Sequence, residues 1–420
     1  MPTVVGGFGV VAIIALVYAF SRDRRAVRWP QILCGVGLQA LLAVLILKAP
    51  FVRDGFAGLA SAARWFLSFG DSGARDLLGN LVGDGTLDVE VEGRTGIARL
   101  GGILLLKILP TIVFVSSAMS VLYHLGVLQR VVVAMSWLVQ KALRVSGAEA
   151  LATTANIFMG MTEAPLMIRP YLAAMTSSEL LVVMVGGFAT IAGSMMAVYS
   201  GVFGVSFEFL LAASVLNAPA AIYLTKIYLP ERGEPATLSA TPVSFERETV
   251  NVVDAAARGA STGLSLALNI GAMLLAFSAA IHLIDNLLWH AGAAALPQGA
   301  ELSLGKILGW LCCPLAWLLG VPSDESVAVG QLLGVKIALN EYFAYEKLTQ
   351  MKLSEHSRNI ATFALCGFAN FGSIAVLLGG LGTLVPERRA EIARLGMRAM
   401  FLGALATASS AALAGVVLSF

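Results

Sequence analysis

The stretch NIFMGMTEAPLMIRPYL, Asn156 to Leu172, decides how this chain must be read. It sits in a run apolar enough for a lipid bilayer, yet it carries Glu163, Pro165, Arg169 and Pro170. A plain spanning helix accommodates none of these well. A carboxylate at the bilayer centre costs about 2.5–3.5 kcal/mol on an insertion scale, and proline removes a helix hydrogen bond. A segment of this kind turns back inside the membrane. Its backbone must then be buried in protein or line a wet cavity, because lipid cannot satisfy exposed N–H and C=O groups.

Working outward, the whole chain has membrane composition. Of its 420 residues 58% are hydrophobic and only 13% are charged, against about 25% in ordinary globular proteins. Mean hydropathy is +0.82. The net charge of +2 gives no electrostatic case for nucleic acid. Cys34, Cys312, Cys313 and Cys366 all lie in apolar segments and read as small hydrophobes, not as a disulfide or thiolate framework. No positive residue precedes the first apolar run, and Arg22, Arg24, Arg25 and Arg28 follow it. That order is the reverse of a signal peptide, so the expectation is a retained first span with its N-terminus outside.

Apolar runs of bilayer length fall at about 3–20, 31–48, 100–123, 177–201, 203–227, 259–289, 357–383 and 396–420. The basic residues Arg22 to Arg28, Arg130, Lys141 and Arg144, Arg232, Arg247 and Arg258, and Arg388 to Arg398 then all fall on one side of an eight-span chain. This is the asymmetry that marks the cytoplasmic face. Regions 148–175 and 303–350 are interrupted by proline and polar residues, and a carboxylate, Glu163 or Glu341, stands within each. A full crossing by either would break the charge pattern. Each is therefore expected to enter and leave on one side, the first from inside and the second from outside. GFATIAGS (187–194) follows Glu163 and GFANFGS (367–373) follows Glu341. The two halves thus read as an inverted repeat, and paired interrupted segments point to a transporter site at the midplane.

The fold class expected is all-α, polytopic, with eight transmembrane helices and two oppositely oriented re-entrant hairpins. The domain reading groups 1–125 as scaffold with an interfacial helix and the outside loop GDGTLDVEVEGRTG. Residues 126–227 form the first transport half, 228–258 a cytoplasmic loop, 259–290 a further scaffold span and 303–420 the second transport half. Two carboxylates with Asn156, Thr162, Thr190, Ser194, Asn370 and Ser373 suit a polar, hydroxyl-rich neutral solute, since a carboxylate accepts two hydroxyl protons at once. A purely structural role, Glu163 paired with Arg169 and Glu341 with Lys336, is the competing account. His124, His282, His290 and His356 have no metal spacing. No HExxH or Walker lysine is present, and an intramembrane enzyme would lack its nucleophile–base pair.

The stretches LPTIVFVSSAMSVLYHLG (109–126), MSWLVQKALRVSGAEALATTANIFMGMTEAPLMIRPYL (135–172), LALNIGAMLLAF (266–277), ILGWLCCPLAWLLGVP (307–322), LNEYFAY (339–345) and FALCGFANFGSIAVLLGGLGTLVPERR (363–389) resemble the concentrative nucleoside transporters. The resemblance runs from about residue 100 onward. The span count and the basic-loop asymmetry place both termini outside, and the resemblance implies a homotrimer in a bacterial inner membrane whose moving hairpin domain imports nucleosides driven by sodium or protons. It implies that Met161, Thr162 and Glu163 face the base, that Glu341, Asn370 and Ser373 hold the ribose, and that Phe368 packs on the base. It also implies a sodium site from the Asn156 and Thr190 side chains and the Met159 and Ile191 carbonyls, with no organic cofactor. Met161 stands where the family commonly has glutamine, so base preference is open, as is a related nucleobase-like solute. Gly372 replaces a usual serine. Proton coupling through Glu163 or Glu341 is the alternative driver, and a passive channel is the alternative class.

Overall fold

The computed structural model describes residues 2–79, 86–91, 94–99, 104–238, 249–295 and 302–419. The start of the third expected span (100–103) and the part of the basic loop holding Arg247 lie outside these residues. Among the described residues regular structure is helical apart from one two-stranded antiparallel ribbon, β1 (Thr86–Val91) with β2 (Arg94–Arg99), registered from Thr86 opposite Arg99 to Val91 opposite Arg94. Sequence reading gave that stretch as a loop. Its alternating Leu87, Val89 and Val91 is strand chemistry.

Two N-terminal helices, α1 (Pro2–Ala19) and α2 (Trp29–Lys48), lead into the amphipathic α3 (Pro50–Leu78). Then one order of elements occurs twice. The first set is α4 (Leu104–His124), α5 (Val127–Leu143), α6 (Gly147–Ala155) followed by a 3-10 turn Ala164–Tyr171, the broken pair α7 (Ser177–Ala189) and α8 (Gly193–Phe203), and α9 (Phe207–Tyr228). The second is α10 (Val252–Ala295), α11 (Leu304–Leu318), α12 (Ser326–Ala338) with α13 (Glu341–Gln350), the broken pair α14 (Glu355–Leu365) and α15 (Phe371–Leu384), and α16 (Arg389–Leu418).

Local chemistry sets several of these boundaries. Ser146 with Glu149, and Thr176 with Glu179, form capping boxes that start α6 and α7. Pro165 and Pro170 lack the N–H groups that an α-helix needs, and Ala164–Tyr171 accordingly winds as 3-10. The region 303–350, read as one hairpin, is three helices: α11 stands apart, and only α12 and α13 form the interrupted pair. Gly309, Gly330 and Gly334 explain the tight seating of α11 on α12. A Cβ on Gly330 would lie 2.6 Å from the Gly309 carbonyl oxygen, and one on Gly334 would lie 2.4 Å from Leu308 Cβ.

Among the described residues four helices are long and apolar enough to cross a bilayer: Trp29–Lys48, Ser177–Phe203 taken through its break, Phe207–Tyr228 and Pro386–Leu418. A fifth arises if the pair Leu109–His124 and Val127–Leu143, bent by 73°, counts as one. The expected seventh span falls short by this measure because it is split at Cys366–Asn370 into α14 and α15.

Grouping by sequence also differs from grouping by packing. The first three spans were taken together, but α1 packs on α16, and α2 on α9 and α16, while α4 pairs with α10. Gly35 lets Tyr223 lie against α2, since a Cβ there would sit 2.8 Å from the Tyr223 Cβ. Gly259 and Gly263 bring α10 onto Ser116 and Ile112 of α4, where a Cβ on either would lie 2.6 and 2.9 Å from the respective carbonyl oxygens. Hydrophobic periodicity reports span length, but partners are chosen by where small residues fall.

The basic loops converge at one end. Arg232 pairs with Asp23, Gln31 Nε2 donates to the Leu143 carbonyl at 3.0 Å, and Gly147 N–H to the Thr237 carbonyl at 2.9 Å. Arg388 donates to the Leu172 and Met175 carbonyls at 3.0 and 2.6 Å. The base of the first interrupted segment is clasped at this end by Lys226, which pairs with Glu149 and with Glu231 at 3.2 Å. Burial pushes the Glu231 carboxyl up, but Lys226 and the Thr176 hydroxyl more than offset this and hold it below its ordinary range. The base of the second segment is fixed elsewhere. Glu325 accepts from Ser354 N–H and Oγ, both at 2.7 Å, near Gly320, which meets His356 at 3.2 Å. Gly415, near the far end of α16, lies against Leu319. Glu391, near the start of α16, bonds Ser177 at the first base. A helix of that extent separates the two bases by about 36 Å.

Candidate functional site

The two interrupted segments and the two helix breaks meet around a cavity of about 460 Å³. Met161, Thr162, Glu163, Glu341, Phe368, Asn370 and Ser373 all line it, as do Met159 and Ser194. Its opposite wall comes from α4 and α10, through Ser116, Ser120, Tyr123, His124, Arg258 and Thr262. The volume lies in the range of small-molecule pockets and admits one medium-sized solute.

Glu341 is the most tightly ordered polar group in the site. It begins α13, where the helix N-terminus favours negative charge. Tyr199 on α8 donates its hydroxyl to Oε1 at 2.7 Å, and Asn370 donates Nδ2 to Oε2 at 3.2 Å. The Asn370 amide is itself oriented by capping: its Oδ1 accepts from Ser373 N–H at 2.8 Å, which leaves the NH2 for the carboxylate. Asn340 caps α13 in the same way, through Phe343 N–H at 3.2 Å. Each carboxylate oxygen thus has one protein partner and keeps a lone pair for a ligand hydroxyl.

Glu163 is held more loosely. Gly160 N–H donates to it at 3.3 Å, and its side chain faces the cavity. It makes no ion pair with Arg169, which is exposed. Lys336 does not pair with Glu341 either. Its amine donates to the Ala364 carbonyl at 2.7 Å and the Thr407 hydroxyl at 2.9 Å. The competing structural account, two internal ion pairs, is therefore not realised. Of the two places expected for Arg169, a tie to neighbouring elements or the cytoplasmic interface, its exposed position excludes only the first, and Arg388 makes that tie.

The breaks interlock. Gly193 N–H donates to the Phe158 carbonyl at 2.9 Å, and Phe368 N–H to the Thr190 carbonyl at 3.3 Å. Asn217 on α9 donates to the Ala189 carbonyl at 2.6 Å and the Cys366 carbonyl at 2.9 Å, one from each break. Beside the first break Asn156 is fully buried, and neither amide atom has a hydrogen-bond partner. Thr190 Oγ gives its proton to the Gly186 carbonyl at 2.9 Å, leaving lone pairs free. No backbone N–H of the described residues donates to the Met159 or Ile191 carbonyl. Buried polar atoms left without partners call for a ligand, and an all-oxygen set fits a small hard cation.

Tyr199 and the α4–α10 wall were not anticipated. Nothing in MAVYSG singles out Tyr199. Gly259 and Gly263, spaced for close helix packing, are the signal that could have placed α10 against α4. His124, read as interfacial, lies on the cavity wall with Nδ1 2.7 Å from Thr249 Oγ1.

A helical membrane protein whose interrupted segments present paired carboxylates to one solute-sized cavity belongs to the carriers. Comparison with known proteins identifies which. Residues 209–415 match the family described as Na+ dependent nucleoside transporter C-terminus, residues 8–81 its N-terminal counterpart, and residues 105–206 the Gate family described as nucleoside recognition. The chain belongs to this concentrative nucleoside transporter family, whose members are transporters and not enzymes. It is 39% identical to the nucleoside permease NupC of Helicobacter pylori, over 97% of this chain and 96% of that protein. It is 36% identical to the human sodium/nucleoside cotransporter 1, over 97% of this chain and 63% of that protein. It resembles the structure of CNTnw in an inward-facing substrate-bound state with TM-score 0.90 and 38% identity, covering 100% of this chain and 99% of that one.

Proposed function

We propose that this protein imports nucleosides across the inner membrane by symport with sodium, as a homotrimer with eight spans, two re-entrant hairpins and both termini outside. The observation that carries the reading is the joining of two sites at one place. The fixed carboxylate of Glu341 and the unpartnered amide of Asn156 lie on the two interrupted segments that meet at the cavity. The family's description as Na+ dependent supports sodium as the driver.

In this mechanism Glu341, oriented by Tyr199 and Asn370, accepts ribose hydroxyl protons, with Ser373 beside it. Phe368 stacks on the base, and Thr162 and Glu163 contact its polar edge. Sodium bound by Asn156, Thr190 and the Met159 and Ile191 carbonyls fixes the tip of the first hairpin against α7. The two ligands are then coupled through a shared element, since ordering the tip for one prepares it for the other. The hairpin domain moves against the α4–α10 wall to expose the cavity alternately. The cavity reaches His124 and Thr249 near the basic end, which corresponds to an inward-open state. Met161 offers the base a thioether and no amide, so its hydrogen-bonding edge is read by Thr162 and Glu163.

The experiment is labelled uridine and adenosine uptake into proteoliposomes, with and without an inward sodium gradient at fixed pH. Sodium-dependent accumulation supports the reading, and the ratio of the two solutes reports base preference. Uptake that ignores sodium and follows an imposed pH gradient would replace sodium with protons. Equilibration without accumulation would make the protein a channel.

A further inference from the structure

The repeated order of elements places two polar side chains in matching positions with different chemistry. In the first half Asn156 caps the end of α6 and lies on the last turns of α7. Its amide nitrogen is 3.3 Å from where a Gly186 Cβ would be, and its oxygen 3.9 Å from that of Gly187. In the second half Lys336 projects from the last turn of α12 onto the last turn of α14. Both side chains are buried. Asn156 has no hydrogen-bond partner for either amide atom, whereas the Lys336 amine is engaged by the Ala364 carbonyl and the Thr407 hydroxyl.

These partners are those of a cation site. α14 ends at Leu365, and the chain then breaks before α15, so the last carbonyls of α14 have no helical donor. The Phe368 N–H that would have continued the helix goes instead to the Thr190 carbonyl. A helix C-terminus carries partial negative charge, which favours a cation. Thr407 donates its own proton to the Ala404 carbonyl at 2.9 Å, so its oxygen turns lone pairs toward the amine. Among the described residues no carboxylate lies within ion-pair distance of Lys336; its amine is held directly by two neutral oxygens, and Glu341 acts on it only through space.

We propose that the Lys336 ammonium is a tethered cation filling the second-half counterpart of the sodium site, so that one sodium, at Asn156, serves each protomer. The inference rests on the sodium reading above. It assigns the two breaks different duties. The first is assembled only when an ion arrives, and the second is held permanently in its ion-bound form, keeping Asn370 aligned on Glu341 throughout the cycle.

The test uses the full-length protein carrying Lys336→Asn, Lys336→Met or Lys336→Arg, with two readouts: sodium activation of uridine uptake in proteoliposomes, and melting temperature against sodium in detergent. The native protein is expected to show a sodium Hill coefficient of about 1 and a sodium-dependent rise in melting temperature. Lys336→Asn exchanges the ammonium for an oxygen ligand. Its Hill coefficient is expected to move toward about 2, its half-saturating sodium to rise by roughly tenfold, and its lowered melting temperature to be recovered by sodium but not by choline. Lys336→Met supplies neither charge nor ligand, and sodium should recover neither readout. Lys336→Arg keeps a cation and should keep a Hill coefficient of about 1.

A Lys336→Asn protein with native sodium dependence in both readouts overturns the proposal, whether or not its uptake is reduced. If that variant does not fold, a Hill coefficient for Lys336→Arg clearly above 1 overturns it, and a native one supports it. Failure of the sodium reading itself would appear in the native protein, as uptake and melting temperature both indifferent to sodium, and the proposal would fall with it.

Discussion

Glu341 has two oxygens and two protein partners, Tyr199 and Asn370, and this arrangement sets what single substitutions should do. Glu341→Gln keeps an acceptor for Tyr199 but turns an NH2 toward the Asn370 NH2 and removes the charge that ribose hydroxyls would meet. Uptake should fall about 100-fold or more, as expected for losing charge-assisted hydrogen bonds worth roughly 1.5–3 kcal/mol, while the protein stays folded by size-exclusion profile. Near-native uptake would remove Glu341 from the substrate site. Tyr199→Phe leaves the carboxylate in place but frees one oxygen. The KM for uridine should rise by roughly tenfold, about 1.4 kcal/mol, with little change in the sodium requirement. An unchanged KM would make Tyr199 a packing residue only. The glutamates, Asn370 and Ser373 were legible in the sequence because intramembrane polar groups are costly and stand out. Tyr199 was not, because a tyrosine in an apolar helix has many ordinary uses, and only the fold brings α8 to α13.

At the scale of elements, function depends on how closely the first interrupted segment seats on α7 and α15. A Cβ on Gly187 would lie 2.8 Å from Met161 Cβ, and one on Gly380 would lie 2.5 Å from Thr162 Cγ2. These glycines admit the tip that carries Met161, Thr162 and Glu163. Gly187→Ala should push the tip away, costing about 1–3 kcal/mol by overpacking, and lower both uptake and sodium affinity. Gly201→Ala, at a position with open space around it, is the control and should be silent in the same uptake assay. The sequence announced these elements unevenly. Pro165 and Pro170 announced a turn within the membrane, which the structure forms as a 3-10 segment, while the capping boxes at Ser146 and Thr176 emerged with the structure. The separation of α11 from α12 was hidden, because both are apolar and the glycines that seat them act across helices, not along them.

At the scale of the whole molecule, α2 is joined to the last helix of each half through one buried amide. Gln39 Nε2 donates to Ser410 Oγ at 3.0 Å and to the Leu216 carbonyl at 3.3 Å. Its Oε1 accepts from the Tyr223 hydroxyl at 3.0 Å, which is also 2.7 Å from Ser409 Oγ. Gln39→Leu removes one partner from each of these buried groups, leaving Tyr223 with Ser409 and Ser410 with the Ala406 carbonyl. Melting temperature in detergent should drop by several degrees, reflecting about 1–3 kcal/mol. No drop would mean that α2 is held by apolar packing alone. The network also holds α2 with α9 and α16, away from the α4–α10 pair.

The sequence by itself determined the solvent, the convergence of basic loops, the duplicated glutamate segments and, through its motifs, the family. These follow from the transfer cost of charge and from local backbone chemistry, which act over a few residues and are written along the chain. Only the tertiary structure decided who faces whom: Tyr199 on Glu341, Asn217 bridging both breaks, Asn156 left without a partner, and Lys336 on the Ala364 carbonyl instead of on Glu341. Such pairings join residues far apart in sequence. They depend on which small residues let two helices approach, a property of surfaces in contact that no single segment carries.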